Sequence, residues 1–159
     1  MNATAVKSLL VLALTIGGLS PMKAATDNLD QPLPIPVIST NSLQQNASAL
    51  KGKIGEDAHA RFMEAISYIF SFSSSQKYAD ESNKEKLQVL LLASKTPREI
   101  ILIGHLLLAC ELDRTLSGEI KLSLDDRSDP SKSKQAIIRH AAVRREWCAR
   151  VIEEYTKQH

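Results

Sequence analysis

Aromatic side chains are scarce in this chain. One Trp, three Tyr and three Phe serve 159 residues. A core must therefore be built from Leu, Ile, Val and Ala. With six Gly and no long β-branched run, that composition favours helices over sheet. There are two cysteines, Cys110 and Cys148, enough for one disulfide at most. No apolar run reaches the roughly 20 residues that a membrane-spanning helix needs. The length suits one domain.

The excess of one charge is also small, and the first residues account for it. A short start with Lys7 precedes an uncharged apolar run, SLLVLALTIGGL, and then Pro21-Met22-Lys23-Ala24. This is the layout of a secretory signal peptide, with cleavage predicted after Ala24. Removing residues 1–24 takes away Lys7 and Lys23, so the 20 basic residues fall to 18, against 18 acidic ones. A formally neutral mature chain argues against nucleic-acid binding. The expected location is periplasmic or secreted, with no transmembrane segment after signal cleavage. No cysteine lies at the leader boundary, so no lipobox is present.

Residues 25–50 carry Pro32, Pro34 and Pro36 alternating with Leu33 and Ile35. Proline at this density excludes helix and favours extended geometry, which predicts a disordered Pro-rich arm. Residues 51–159 are then the helical domain. Ala58, Phe62, Ala65, Ile66, Ile69 and Phe70 recur at helical spacing and predict a helix over 54–73. A second helix is expected over 82–93, a third over 97–116 and a last over 130–157. The fold class is all-α, a bundle of about four helices. Residues 119–124 alternate polar and apolar but have no strand partner, so they read as a loop or a helix extension.

The third helix has the clearest start. Thr96 stands at the N-cap, Pro97 at the first helical position and Glu99 three residues after the cap. That spacing is a capping box, with Thr96 and Glu99 each satisfying the other's backbone N–H. The helix that follows, IILIGHLLLAC, is more apolar than one face of a small bundle requires, and the excess is a candidate contact surface.

Phe62-x-x-Ala65-x-x-x-Ile69 and Ser94-Lys95-Thr96-x-x-Glu99-Ile100 together resemble blocks shared by a family of small, uncharacterised bacterial exported lipoproteins. The likeness covers residues 60–112. It implies an exported helical protein and brings no catalytic residues. Ser94 stands where the family has Gly, and the missing lipobox removes the family's lipid anchor. The Lys95-Thr96 pair is not a phosphate loop, because residues 89–94 lack the glycines that let backbone N–H groups wrap a phosphate.

No catalytic constellation emerges. His59 follows Glu56 by three residues, a spacing common on helix surfaces and short of a metal site. His105 lies inside an apolar helix and reads as a buried histidine. Cys110 and Cys148 read as inert thiols or as a bridged pair. An antiparallel hairpin with helices ending at 116 and starting at 130 would offset them by roughly 18 Å, whereas a helix extended through 117–124 would reduce this to roughly 6 Å. Bridge and extended helix therefore stand together. The basic face of the last helix lacks interleaved aromatics and reads as solvated. The chain reads as non-enzymatic, without cofactor or metal, acting through an unknown protein partner or self-association. The alternative is a small apolar-ligand module with a pocket between helices near His105 and Trp147.

The leader pattern predicts a mature chain beginning at or near Ala25. Intact-mass analysis of protein from the native host checks this, and a full-length mass in a soluble cytoplasmic fraction would refute it.

Overall fold

A computed structural model describes residues 28–74, 80–119 and 130–157. Within them lie five helices and no strand: α1 (Thr40–Leu50), α2 (Glu56–Ser74), α3 (Glu81–Leu92), α4 (Pro97–Leu116) and α5 (Pro130–Thr156). The fold is all-α. The signal peptide over 1–24 and the alternating segment from Ile120 to Leu124 fall outside the described residues.

Helix α4 forms where its start signals stand. The Glu99 N–H donates to Thr96 Oγ1 at 3.2 Å, and the Thr96 N–H donates to Glu99 Oε2 at 2.8 Å. Just before the cap, Ser94 takes a φ of 58°, the left-handed conformation that ends α3. Glycine adopts that conformation without strain, whereas Ser94 carries a Cβ there. At its far end α4 gives way to Gly118, with φ 79°.

Helix α4 packs most heavily on two neighbours, α2 on one side and α5 on the other. Ile100 and Ile101 are fully buried between them, and Leu102, Ile103 and Leu107 are half-buried against the same core. This explains the apolar excess of the helix differently from the sequence-based expectation. A helix sandwiched on two sides needs two apolar faces, and Leu106 is left as its most exposed apolar residue at 48 %. The approach to α2 is at backbone distance. A Cβ placed on Gly104 would lie 2.5 Å from the Ala65 Cβ and 2.6 Å from the Ala65 carbonyl oxygen. Only a missing side chain allows the two helices to sit this close.

The expected disordered arm is corrected by the structure from residue 28 onward. Leu29, Val37, Leu43, Ala47 and Leu50 are buried in the same core as α2 and α4. The alternation of the prolines is the cause. Pro32, Pro34 and Pro36 all face solvent, while Leu33 and Ile35 are half-buried and Val37 is buried. An extended chain sends alternate side chains to opposite sides, so the prolines mark the outer edge of a packed strand-like segment. Its one interior backbone bond pair is met by Asn46, which is fully buried. The Ile35 N–H donates to Asn46 Oδ1 at 3.0 Å, and Asn46 Nδ2 donates to the Ile35 carbonyl at 2.7 Å. Helix α1 then starts at a second capping box, Ser39 with Ser42.

Arg98 ties the segment to the rest. It is 2 % exposed, and its Nε and Nη2 reach the two carboxylate oxygens of Asp30 at 2.5 and 3.0 Å. Its Nη1 donates to the Tyr155 carbonyl in the last turn of α5 at 3.4 Å. Its backbone N–H, an orphan donor in the first turn of α4, goes to the Leu29 carbonyl at 3.1 Å. One residue thus joins the N-terminal segment, α4 and the C-terminal end of α5, where a cation also complements the helix dipole.

The possible disulfide is not formed. Cys110 is exposed and Cys148 buried, and both thiols are free. Contacts from Arg98 to Tyr155 and from His105 to Trp147 run α4 and α5 antiparallel. Cys148 therefore lies level with His105, and Cys110 sits about 7.5 Å further along the axis, at 1.5 Å per residue. That offset is close to the extended-helix case, yet Cys110 points to solvent while Cys148 points into the bundle. The helical rotation, more than the axial distance, keeps the thiols apart.

Gly104→Ala should cost about 3 kcal/mol, because neither backbone can retreat from the new methyl group. Thr96→Ala should cost about 1 kcal/mol, as a lost cap does. Urea unfolding of both variants checks the order, and equal midpoints would refute the close approach.

Candidate functional site

Along α2, Arg61, Glu64 and Tyr68 stand at positions i, i+3 and i+7 and share one helix face. Along α5, His140, Val143, Arg144, Trp147 and Arg150 form a similar stripe beside the buried line of Ala141, Cys148, Val151 and Tyr155. The two stripes flank a groove of about 350 Å³, lined by Glu64 and Tyr68 on one side and the five α5 residues on the other. Under it, from α4, lies His105.

His105 follows Gly104, so the close approach of α2 leaves its ring no way out to solvent. The ring is 0 % exposed. Tyr68 meets it edge-on at a centroid distance of 5.5 Å, and Trp147 lies tilted at 5.1 Å. The structure thus brings His105 and Trp147 together. Nδ1 lies 2.8 Å from the Ile101 carbonyl, which can only accept, so the proton sits on Nδ1. Nε2 then carries a lone pair in a buried place without a hydrogen-bond partner. The nearest opposite charge is Glu64 Oε2, at 3.9 Å. Burial pushes the His105 pKa below its ordinary value. The Ile101 bond and Glu64 oppose that shift, and Arg61 adds to it.

Two arginines lie on the two exposed aromatic faces. The Arg61 guanidinium sits 4.9 Å from the Trp147 ring centre and pairs with Glu64 at 3.1 Å. The Arg144 guanidinium sits 5.5 Å from the Tyr68 ring centre, and its Nη2 donates to the Tyr68 hydroxyl at 3.2 Å. That hydrogen bond is the main reason the Arg144 pKa is raised. Val143 is 66 % exposed between these groups. The result is a half-open groove with aromatic walls, an exposed valine and a rim of cations.

His105 is buried beneath the groove, and Glu64 is held by Arg61. Burial pushes the Cys148 thiol up, away from the reactive thiolate. His59 donates Nε2 to the Ala47 carbonyl at 2.9 Å and so joins α2 to α1. Thr96 and Glu99 act at the start of α4, away from the groove. A second groove of about 470 Å³ lies between the start of α1 and α3, lined by Ile38, Glu85, Lys86, Val89 and Leu90. Among the described residues, no three His, Cys, Asp or Glu side chains gather as metal ligands, and no helix is long and apolar enough to cross a membrane.

Sequence reasoning singled out His105 and Trp147 and missed Arg61, Glu64, Tyr68 and Arg144. The signal was present, since Arg61, Glu64 and Tyr68 keep one face and Arg144 and Trp147 are three apart. It could not be read without knowing that α2 and α5 meet across α4. Compared with family models, curated proteins and solved structures, the chain matches none.

Burial of a neutral His105 fixes the sign of its pH effect. The unfolded chain takes up a proton near pH 6.5, and the folded chain does so only at lower pH. The unfolded state therefore binds more protons in that window, and stability should fall as pH drops below about 6.5. Around the ring, Glu64, Arg61 and Arg144 are the charged groups. Urea midpoints at pH 7 and pH 5 check this, with His105→Phe expected to lose less on acidification than the wild type. Equal losses would refute the assignment.

Proposed function

We propose that this is an exported, non-enzymatic helical protein that acts by holding a partner protein in the groove between α2 and α5. The observation that carries this reading is the groove-lining stripe of α5, with Val143 two-thirds exposed beside Trp147 and Arg144. Val143 adjoins the half-buried Trp147 ring, so the two present a joined apolar surface flanked by cations. Trp and Arg at the centre of a patch are the residue types that dominate protein–protein binding energy. The leader pattern and the resemblance to exported lipoproteins support an envelope or secreted setting.

The alternative, a small apolar ligand between the helices, draws on the groove volume of about 350 Å³, within the range of ligand sites. The lining speaks against it. An apolar ligand wants an enclosed apolar chamber, whereas this groove is half open and carries Glu64, His140, Arg144 and Arg150.

A photo-crosslinking amino acid placed at Val143 in the native host should give one discrete protein adduct, and the same residue at Ser48, exposed on α1, should give none. An adduct of twice the chain mass would identify the partner as a second copy. Identical patterns at both positions, or no adduct at Val143, would reject the groove as the docking surface.

A further inference from the structure

We infer that the groove between α2 and α5 recognises a carboxylate carried next to a large apolar side chain, that is, an acidic segment of the partner protein. This rests on the docking role proposed above and adds its chemistry. Arg144 and Arg150 take the carboxylate, and Val143 and the edge of Trp147 take the apolar neighbour.

Charge bookkeeping within the fold carries the first step. Four arginines of the bundle have acidic partners: Arg98 has Asp30, Arg61 has Glu64, Arg145 has Asp113 at 2.8 Å and Arg114 has Glu119 at 3.4 Å, whereas Arg139, exposed on α5 outside the groove lining, has none among the described residues. Arg144 adjoins Arg145 in sequence, and its hydrogen-bond partner is the neutral hydroxyl of Tyr68. Among the described residues no carboxylate forms an ion pair with Arg144 or Arg150. The one acid lining the groove, Glu64, is already held by Arg61. The lining thus has a surplus of positive charge at one place on a mature chain that is formally neutral. A basic segment would be repelled there, and an uncharged one would leave the cations uncompensated.

Preorganisation carries the second step. Tyr68 holds Arg144 twice, by its ring face and by its hydroxyl. A free arginine loses much rotamer entropy on binding, and one already stacked loses less. The Tyr68 bond engages one edge of the guanidinium and leaves other N–H donors for a carboxylate, whose two oxygens match that fork. Val143 and Trp147 place apolar surface beside the cation, which explains why the acid should have a large apolar neighbour.

The test uses the full mature chain, residues 25–159, panned against a random dodecapeptide phage library. Selected peptides should carry Asp or Glu beside a large apolar residue. Their affinity should fall by at least about tenfold for Arg144→Gln or Arg150→Gln, the scale of one charge-assisted pair, and fall with added salt. Arg145→Gln, whose partner is Asp113, should leave binding unchanged. Far-ultraviolet circular dichroism confirms that each variant is folded. Neutral peptides lost on Val143→Gln but kept on Arg144→Gln would overturn the carboxylate while leaving the docking groove intact. Peptides indifferent to both substitutions would overturn the two together. A library without enrichment would also overturn the acidic segment, and crosslinking at Val143 would still decide the groove by itself. Binding to phosphatidylserine vesicles that depends on Arg144, with none to acidic peptides, would replace the segment by a lipid headgroup.

Discussion

The structure depends on the close approach of Gly104 to Ala65. Helices in globular proteins ordinarily pack with their axes about 8–10 Å apart, the distance being set by the side chains between them. With no side chain on Gly104 and a methyl group on Ala65, α4 settles against α2 at backbone distance. Everything beside that point is drawn inward. His105, the next residue, is forced into the wedge between α2 and α5 and loses contact with water. Tyr68 and Trp147 close over it from the two flanking helices. The groove above is therefore a by-product of tight packing below. Helices α2 and α5 both pack on α4, and the groove lies between their outer stripes.

Arg98 answers a different need at the other end of α4. Helix termini leave backbone groups unpaired, and three chain segments converge there. A guanidinium with five donors can meet several acceptors at once, whereas a lysine offers a point charge. Asp30 and the Tyr155 carbonyl take its donors, while the Arg98 N–H goes to Leu29. Arg98 is buried but Asp30 is 43 % exposed, so water screens the pair from the carboxylate side, and the cost of losing it falls mainly on the buried guanidinium left without a partner. The N-terminal segment is thus held by a charge at residue 98 and by the Asn46 amide at Ile35, two polar anchors that bracket the packed Leu33.

These two anchors also show where the sequence was legible. The starts of α4 and α5, the face of α2 and the all-α class follow from local spacing, because capping boxes and helical periodicity are properties of a few adjacent residues. Asp30 and Arg98 are 68 residues apart, and nothing local links them. The alternation of Pro32, Pro34 and Pro36 is plain in the sequence and predicts a lack of structure, whereas in the fold it marks the solvent side of a packed segment. A proline removes one N–H, and the remaining groups still need partners. Asn46 supplies them from eleven residues away. The choice between free and bridged Cys110 and Cys148 stays open in the sequence for a similar reason, since axial distance can be estimated from spacing but rotation about the helix axis cannot.

The few aromatics of the chain say something about purpose that the core does not. Phe62 is fully buried and Tyr155 nearly so, and burial pushes the Tyr155 pKa up to about 12. Both serve the interior. A chain so poor in aromatic area should bury its one Trp as well, because full burial of such a ring is among the largest single contributions a core can receive. Trp147 is only half-buried, with Arg61 over its face and an open groove beside it. Tyr68 is held at the same level, under Arg144. The centre of the core is filled by Ile100, Ile101, Ile69 and Leu92, all fully buried, and Trp147 packs against it from the groove side. Trp147 and Tyr68 instead stand half-buried on facing helices, each beneath a guanidinium, so that a cation covers ring surface the core does not.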